Sequence, residues 1–182
     1  MRKFQIALAV LALAFFVWAQ QDKSKRPSPP GTASVTLNGK NITVDYSRPK
    51  VQDPKSGQRR KVYGGLVPYG EVWRTGANEA TTLKTDADLD VNGTTVPAGT
   101  YTLFTIPQEN GDWTLIVSKK TGEWGIPYPG QSEDLARIPI KATKTNHAVD
   151  QFTISFDKRG NNEAVMNLDW ENTRASVPIR VK

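Results

Sequence analysis

Cysteine is absent from the 182 residues, and histidine occurs once, at His147. The first absence removes disulfides, thiol nucleophiles and thiolate metal sites, so the apolar core alone must hold the fold. The second removes any mechanism that needs two histidines, and most histidine-rich metal sites. A serine triad would have to use His147 as its base, and no serine stands in a nucleophile-elbow context. In Thr145-Asn-His147-Ala, His147 reads as an ordinary surface or turn residue. No stretch carries a credible long helix. Blocks of like charge are scarce as well: the +6 net charge is scattered, apart from the small cluster Lys23-Ser-Lys-Arg26. Scattered charge is a weak argument for nucleic acid, and no nucleic-acid partner is expected. No cofactor and no metal are expected either.

The N-terminus has a conspicuous pattern. Met1-Arg2-Lys3 is a short cationic segment, Phe4 to Trp18 is apolar apart from Gln5, and Val17-Trp18-Ala19 suits a cleavage site. This is the layout of a secretory signal peptide over residues 1–19. The apolar run is shorter than the roughly 20 residues a spanning helix needs, so no membrane span is expected after cleavage. No cysteine follows to carry a lipid. Removing Arg2 and Lys3 lowers the net charge from +6 to +4. The mature chain would then be one domain, exported to the periplasm or to the outside of a bacterium of Gram-negative type. Residues 20–32 (QQDKSKRPSPPGT) are polar and proline-rich, and read as a disordered or extended tether. The domain itself is expected over residues 33–182.

Within that domain, apolar and polar residues alternate in short runs. Val35-Thr-Leu37 and Ile42-Thr-Val44-Asp-Tyr46 flank Asn38-Gly39, a strong hairpin signal. Lys50 to Lys61 reads as an exposed basic loop. Ala80 to Thr85 and Leu89 to Val91 read as strands, Asn92-Gly93 and Thr95 to Gly99 as turns. Thr100 to Ile106 and Trp113 to Ser118 are apolar on both faces and read as central. One helical turn is expected over Ser132 to Ala136. Ile138-Pro-Ile140 reads as an edge strand, because proline cannot donate to a ladder. Phe152 to Phe156, Ala164 to Glu171 and Val177 to Val181 complete a count of nine or ten strands. The expected fold is all-β: a single antiparallel β-sandwich, jelly-roll-like. Trp113 and Trp170 alternate correctly for the core.

One stretch breaks the plain strand pattern. Gly64 to Leu83 (GGLVPYGEVWRTGANEATTL) holds four glycines and the polar set Glu71, Arg74, Asn78 and Glu79. Residues with special backbone freedom at this density serve a demanding turn or a site. Two readings stand side by side. In one, Arg74 offers its fork to a carboxylate or phosphate, Asn78 its amide and Trp73 a stacking face. In the other, Arg74 pairs with Glu79 inside the turn, Asn78 is left-handed and Trp73 is core. A positive φ is expected at Gly76. Tyr69, Trp124 and Tyr128 lie in glycine- and proline-rich loops, where they could stack on sugars or a protein, or plug one end of the sandwich. The sequons at Asn41 and Asn92 lie in tight hairpins and carry little weight.

Two long blocks carry a family resemblance. Gly64 to Thr82 and Val96 to Pro107 (VPAGTYTLFTIP), followed by Trp113-Thr-Leu-Ile-Val117 and Trp124-Gly125, resemble the signature blocks of the domain of unknown function 2911 family of exported bacterial proteins. The resemblance runs from about Ser34 to Val181. It implies an exported β-rich domain and brings no catalytic residues with it. On the chemistry of the residues, the leading reading is a non-enzymatic binding module for an envelope glycan, a cell-wall fragment or an envelope protein. Its candidate ligand-binding residues are Trp73, Arg74, Asn78, Glu79, Trp124 and Tyr128. A carboxylate-dependent glycan hydrolase using Glu71, Glu79 or Asp134 is the first alternative. A structural envelope component with no small ligand is the second.

Overall fold

A computed structural model describes residues 22–182, so the leader reading lies outside the described residues. Nine strands follow one another: β1 (Pro30–Leu37), β2 (Lys40–Ser47), β3 (Thr81–Thr85), β4 (Leu89–Val91), β5 (Thr94–Val96), β6 (Gly99–Ile106), β7 (Trp113–Ser118), β8 (Asp134–Lys158) and β9 (Glu163–Val181). The helical content among the described residues is two short 3-10 turns, Lys23–Lys25 and Gln131–Glu133. All strands pair antiparallel in the order β1-β2-β3-β6-β7-β8-β9-β4-β5.

Local chemistry sets the hairpins. Asn38 at φ 48° and Gly39 at φ 71° make a tight turn with two left-handed residues, which fixes the register Leu37↔Lys40. Asn92-Gly93 repeats the device between β4 and β5. Here the strand extends further than expected. Thr94–Val96 pairs with β4 and buries Val96 against the core, where the sequence reads a turn from Thr95.

β8 turns one sheet into two layers. Asp134 to Ile140 pairs with β7, and from Lys141 onward the strand pairs with β9 instead. Two register shifts, between Lys144 and Val149 and between Val149 and Thr153, interrupt the second ladder and bend the strand. β8 is therefore central in the sheet order, although Ile138-Pro-Ile140 reads as an edge. The reading holds locally, since Pro139 sits where β8 has a ladder on the β7 side only, and its carbonyl accepts from Asn92 Nδ2 at 2.9 Å. The layers meet through aromatics. Tyr46 on β2 packs edge-on to Phe152 on β8 at 5.7 Å. Its hydroxyl accepts the Ile154 N–H at 2.9 Å. Trp113 and Trp170 are buried in the common core, as their alternation predicts.

Two segments differ from the sequence reading. β1 begins at Pro30, before the expected start at Ala33, and residues 22–29 lie against the domain rather than trailing from it. Pro29 accepts from the Arg48 N–H at 2.9 Å and Ser28 from Asn78 Nδ2 at 2.8 Å. A proline-rich arm lacks donors but keeps its carbonyls, and those are what the domain holds. The 50–61 loop is largely exposed, as read, but it is pinned. Val51 is buried, Asp53 receives the N–H groups of Lys55 and Ser56, and Arg60 donates to the carbonyls of Lys50 and Val51.

Candidate functional site

The Gly64 to Leu83 stretch ends in β3, which pairs with β6 from Thr81 onward, and before that it meets β6 at one isolated bridge. Trp73 and Thr105 exchange backbone hydrogen bonds at 2.8 and 2.9 Å. That pairing turns the Trp73 ring inward. It stacks on Trp170 with centroids 5.7 Å apart and planes 21° apart, and meets Phe152 at 5.1 Å and Tyr63 at 6.3 Å. Its Nε1 donates to the Gly76 carbonyl at 3.1 Å. Trp73 is thus committed to the core, and the stacking-face reading is corrected.

The residues that follow are held in a costly backbone. Thr75, fully buried and β-branched, sits at φ 53°, and Asn78 at φ 55°. Asn78 tolerates that region, as expected; a threonine there is strained by roughly 1–3 kcal/mol and needs its surroundings to hold it. Thr81 Oγ1 donates to the Thr75 carbonyl at 2.7 Å, and the Thr75 hydroxyl reaches Thr105 Oγ1 at 3.2 Å. Gly76 has the expected positive φ, at 159°, close to the extended region, while Thr75 and Asn78 hold the fully left-handed positions.

This backbone aims Arg74 away from Glu79. Arg74 Nη1 donates to the carbonyls of Asn78 at 2.7 Å and Trp124 at 3.2 Å, and the guanidinium lies 5.5 Å from the Trp124 ring centre. Among the described residues no carboxylate pairs with Arg74, and burial lowers its pKa. Glu79 pairs instead with the N-terminal arm: Lys23 Nζ at 3.0 Å and Arg26 Nη1 at 2.9 Å from both carboxylate oxygens. The internal Arg74–Glu79 pair is therefore replaced by two separate arrangements. The sequence shows the Lys23-Ser-Lys-Arg26 cluster, but not its partner 53 residues from Arg26.

Glu79 has a titration consequence. A hydrogen bond from its own N–H, followed by Arg26 and Lys23, lowers its pKa from 4.5 to about 2. A carboxylate depressed in the folded state stabilises above its unfolded pKa, and that contribution is lost as pH falls through the folded value. The wild-type protein should out-melt Glu79→Gln at pH 7, and the gap should close between pH 4.5 and about 2. The Glu79 side chain is 42% exposed, so solvent screening limits the gap to about 1 kcal/mol or less. Melting curves across that range decide it, and a gap that persists unchanged at the acid end contradicts the assignment. The direction of the shift also opposes use of Glu79 as a general acid, which needs a raised pKa.

The remaining candidates separate. Tyr128 is not beside Arg74's fork. Its ring covers Phe104 on the outer face of β6 at 5.1 Å, its hydroxyl donates to Asp134 at 2.5 Å, and Arg137 bonds both. Burial, then Asp134, raises its pKa. This explains why β6 and β7 are apolar on both faces: the 119–133 loop covers the second one. Asp134 is closed into that triad, Glu71 is exposed on a bend, and His147 is exposed. Among the described residues Trp124 is the one loop aromatic that stays open, 52% exposed, near the similarly exposed Ile126. Among the described residues no three His, Asp or Glu side chains form a metal-binding group, and no helix is long and apolar enough to cross a membrane.

Arg74 opens on a recess of about 200 Å³ between the arm and the 50–61 loop. Pro27 and Ser28 from the arm form one wall, Lys50 and Arg60 another, and Trp170 is part of the lining. Lys50, Arg60 and Trp170 escape sequence reading because the first two look like solvated loop charges and the third like plain core. The one available signal is the run of three cations in Gln58-Arg-Arg-Lys61 beside three nearby prolines, at 49, 54 and 68.

Residues 28–179 match the family model described as a protein of unknown function, DUF2911. No curated protein and no solved structure matches the chain. The match spans both layers of the sheet and the whole Gly64 to Leu83 stretch, and the chain belongs to the DUF2911 family.

Proposed function

We propose that the protein is a non-enzymatic binding module of the bacterial envelope, exported to the periplasm or the cell surface. Its ligand is a glycan, a cell-wall fragment or an envelope protein, engaged by Arg74 and Trp124. The observation that carries this reading is the pairing of those two side chains. A half-buried guanidinium that has no carboxylate partner among the described residues lies 5.5 Å from the ring of a tryptophan that is 52% exposed. An exposed indole offers a large face for a sugar ring or an apolar side chain, and the guanidinium offers donors beside it. Both are set on a backbone strained at Thr75, and strain of this kind collects at sites of binding.

A thermal-shift panel of muropeptides, neutral oligosaccharides and divalent metals tests it. A ligand at ~100 times its Kd adds about 2.7 kcal/mol. A muropeptide or oligosaccharide shift that disappears in Trp124→Ala, with that variant still folded, is the expected result. No shift from any member of the panel, together with strong destabilisation by Arg74→Ala, would overturn it in favour of a purely structural component.

A further inference from the structure

We infer that the recess beside Arg74 is a site for a small organic carboxylate with an apolar body, its oxygens taken by the Arg74 guanidinium, with Lys50 and Arg60 adding positive charge around them. The inference rests on the binding-module reading and names the chemical group the module grips.

Four observations converge on this site. The first is charge. Lys50, Arg60 and Arg74 line the recess, and no acidic side chain does. Asp53 sits 3.7 Å from Arg60 and offsets part of its charge, but among the described residues Arg74 has no such partner. Only Nη1 of Arg74 is engaged, which leaves donors on the rest of the fork. The second is an unspent donor. Trp170 is 1% exposed, contributes to the lining, and its Nε1 has no acceptor among the described residues. A buried N–H without a partner costs about 1–3 kcal/mol, and native folds keep very few of them. The hydroxyl of Tyr63, whose ring lies 6.2 Å from that of Trp170, is buried without a partner among the described residues too, so the Trp170 indole marks a polar fault in the packing beside the recess and reports on what enters it. The third is backbone strain on both sides of the recess: Thr75 follows Arg74 at φ 53°, and Glu171 follows Trp170 at φ 53°. Two non-glycine residues in the left-handed region, each next to a residue that lines the recess, fit a constraint that positions its walls.

The fourth is the nature of the walls, which selects the anion. Pro27, Pro49 and Pro54 carry no N–H, and Leu66 adds an apolar surface. Phosphate sites are built from backbone N–H groups that satisfy several oxygens at once, and three prolines are a poor cradle for that. A carboxylate has two oxygens, which a guanidinium fork and one further donor can satisfy. The volume, about 200 Å³, somewhat exceeds the ~150 Å³ of an engineered cavity that admits benzene. One ring or one short aliphatic chain behind the carboxylate therefore fits.

The test is a titration of the ¹⁵N-labelled mature protein followed at the tryptophan indole resonances, with the Trp170 signal assigned by its loss in Trp170→Phe. Benzoate is the probe, benzamide its neutral analogue, and inorganic phosphate the competing anion. With benzoate the Trp170 indole resonance should move and saturate. Benzamide should bind about tenfold more weakly or worse, and phosphate should leave the resonance in place. Arg74→Gln should abolish the benzoate response. Lys50→Ala, whose side chain holds no part of the fold together, should weaken it by about threefold, the scale of an exposed charge contact; this variant keeps the test decisive if Arg74→Gln does not fold. A Trp170 resonance that benzoate does not move, or that benzamide or phosphate moves equally, overturns the assignment. A muropeptide that shifts the melt while leaving the Trp170 resonance untouched would overturn the carboxylate site and leave the binding-module reading standing. A silent panel and a silent resonance would remove both.

Discussion

Trp170→Ala should lower the melting temperature by about 10 °C or more. Trp170 is 1% exposed and lies at the meeting point of the two layers, against Trp73 on the long loop, Phe152 on β8 and Tyr63 after the 50–61 loop. Truncating a buried tryptophan removes its transfer free energy and leaves a cavity, typically about 3–5 kcal/mol in total. A domain of this length loses roughly 2–4 °C per kcal/mol. The unpartnered Nε1–H works in the opposite direction, at about 1–3 kcal/mol, so Trp170→Phe should cost far less than Trp170→Ala. Trp124→Ala is the matching control: an exposed ring with one cation contact is worth about 1 kcal/mol or less. Calorimetry on the three variants checks the ranking. A Trp170→Ala melt within 2–3 °C of the wild type would mean that the aromatic cluster does not hold the layers together.

Gly76→Val should destabilise by roughly 2–4 kcal/mol, combining overpacking with a lost hydrogen bond. A Cβ on Gly76 would stand 3.0 Å from the Ser47 carbonyl oxygen and 3.1 Å from Thr81 Oγ1. Both neighbours are buried, and Thr81 Oγ1 already donates to the Thr75 carbonyl that braces the strained residue. Close approach of two backbones is the larger cause, and the positive φ of 159°, which side chains rarely adopt, adds to it. Gly76→Ala should therefore show much of the same loss, since it places the same atom. Urea midpoints at constant slope measure it. A change under 0.5 kcal/mol in Gly76→Val would show that Ser47 and Thr81 yield easily and that this contact is not tight.

These two variants mark where reading the chain as text succeeds and where it stops. Alternation of Ile42, Val44 and Tyr46 and the Asn38-Gly39 turn announce β1 and β2, because a strand's side-chain period and a two-residue turn are local properties. Trp113 and Trp170 read as core for the same reason. The special character of Gly64 to Leu83 is visible too, since glycine density at a crowded crossing is written in composition. Its wiring is not. Arg74 and Glu79 are five positions apart and look like partners, yet the left-handed Thr75 and Asn78 turn them in different directions. Arg74 then meets the carbonyl of Trp124, 50 residues on, while Glu79 meets Arg26, 53 residues back.

The sequence by itself determined the all-β class, the family, the β1–β2 hairpin and the core residues of the alternating strands, because periodicity and turn chemistry act between neighbours. Only the tertiary structure decided that the proline-rich arm is a wall, that Tyr128 is a cover for Phe104, and that Trp73 belongs to the interior. It alone brought Lys50, Arg60, Arg74 and Trp170 around one recess. Those four come from two loops and a strand whose proximity depends on β8 leaving β7 for β9 at Lys141, and a fold-over of that kind has no signature in the spacing of the residues it joins.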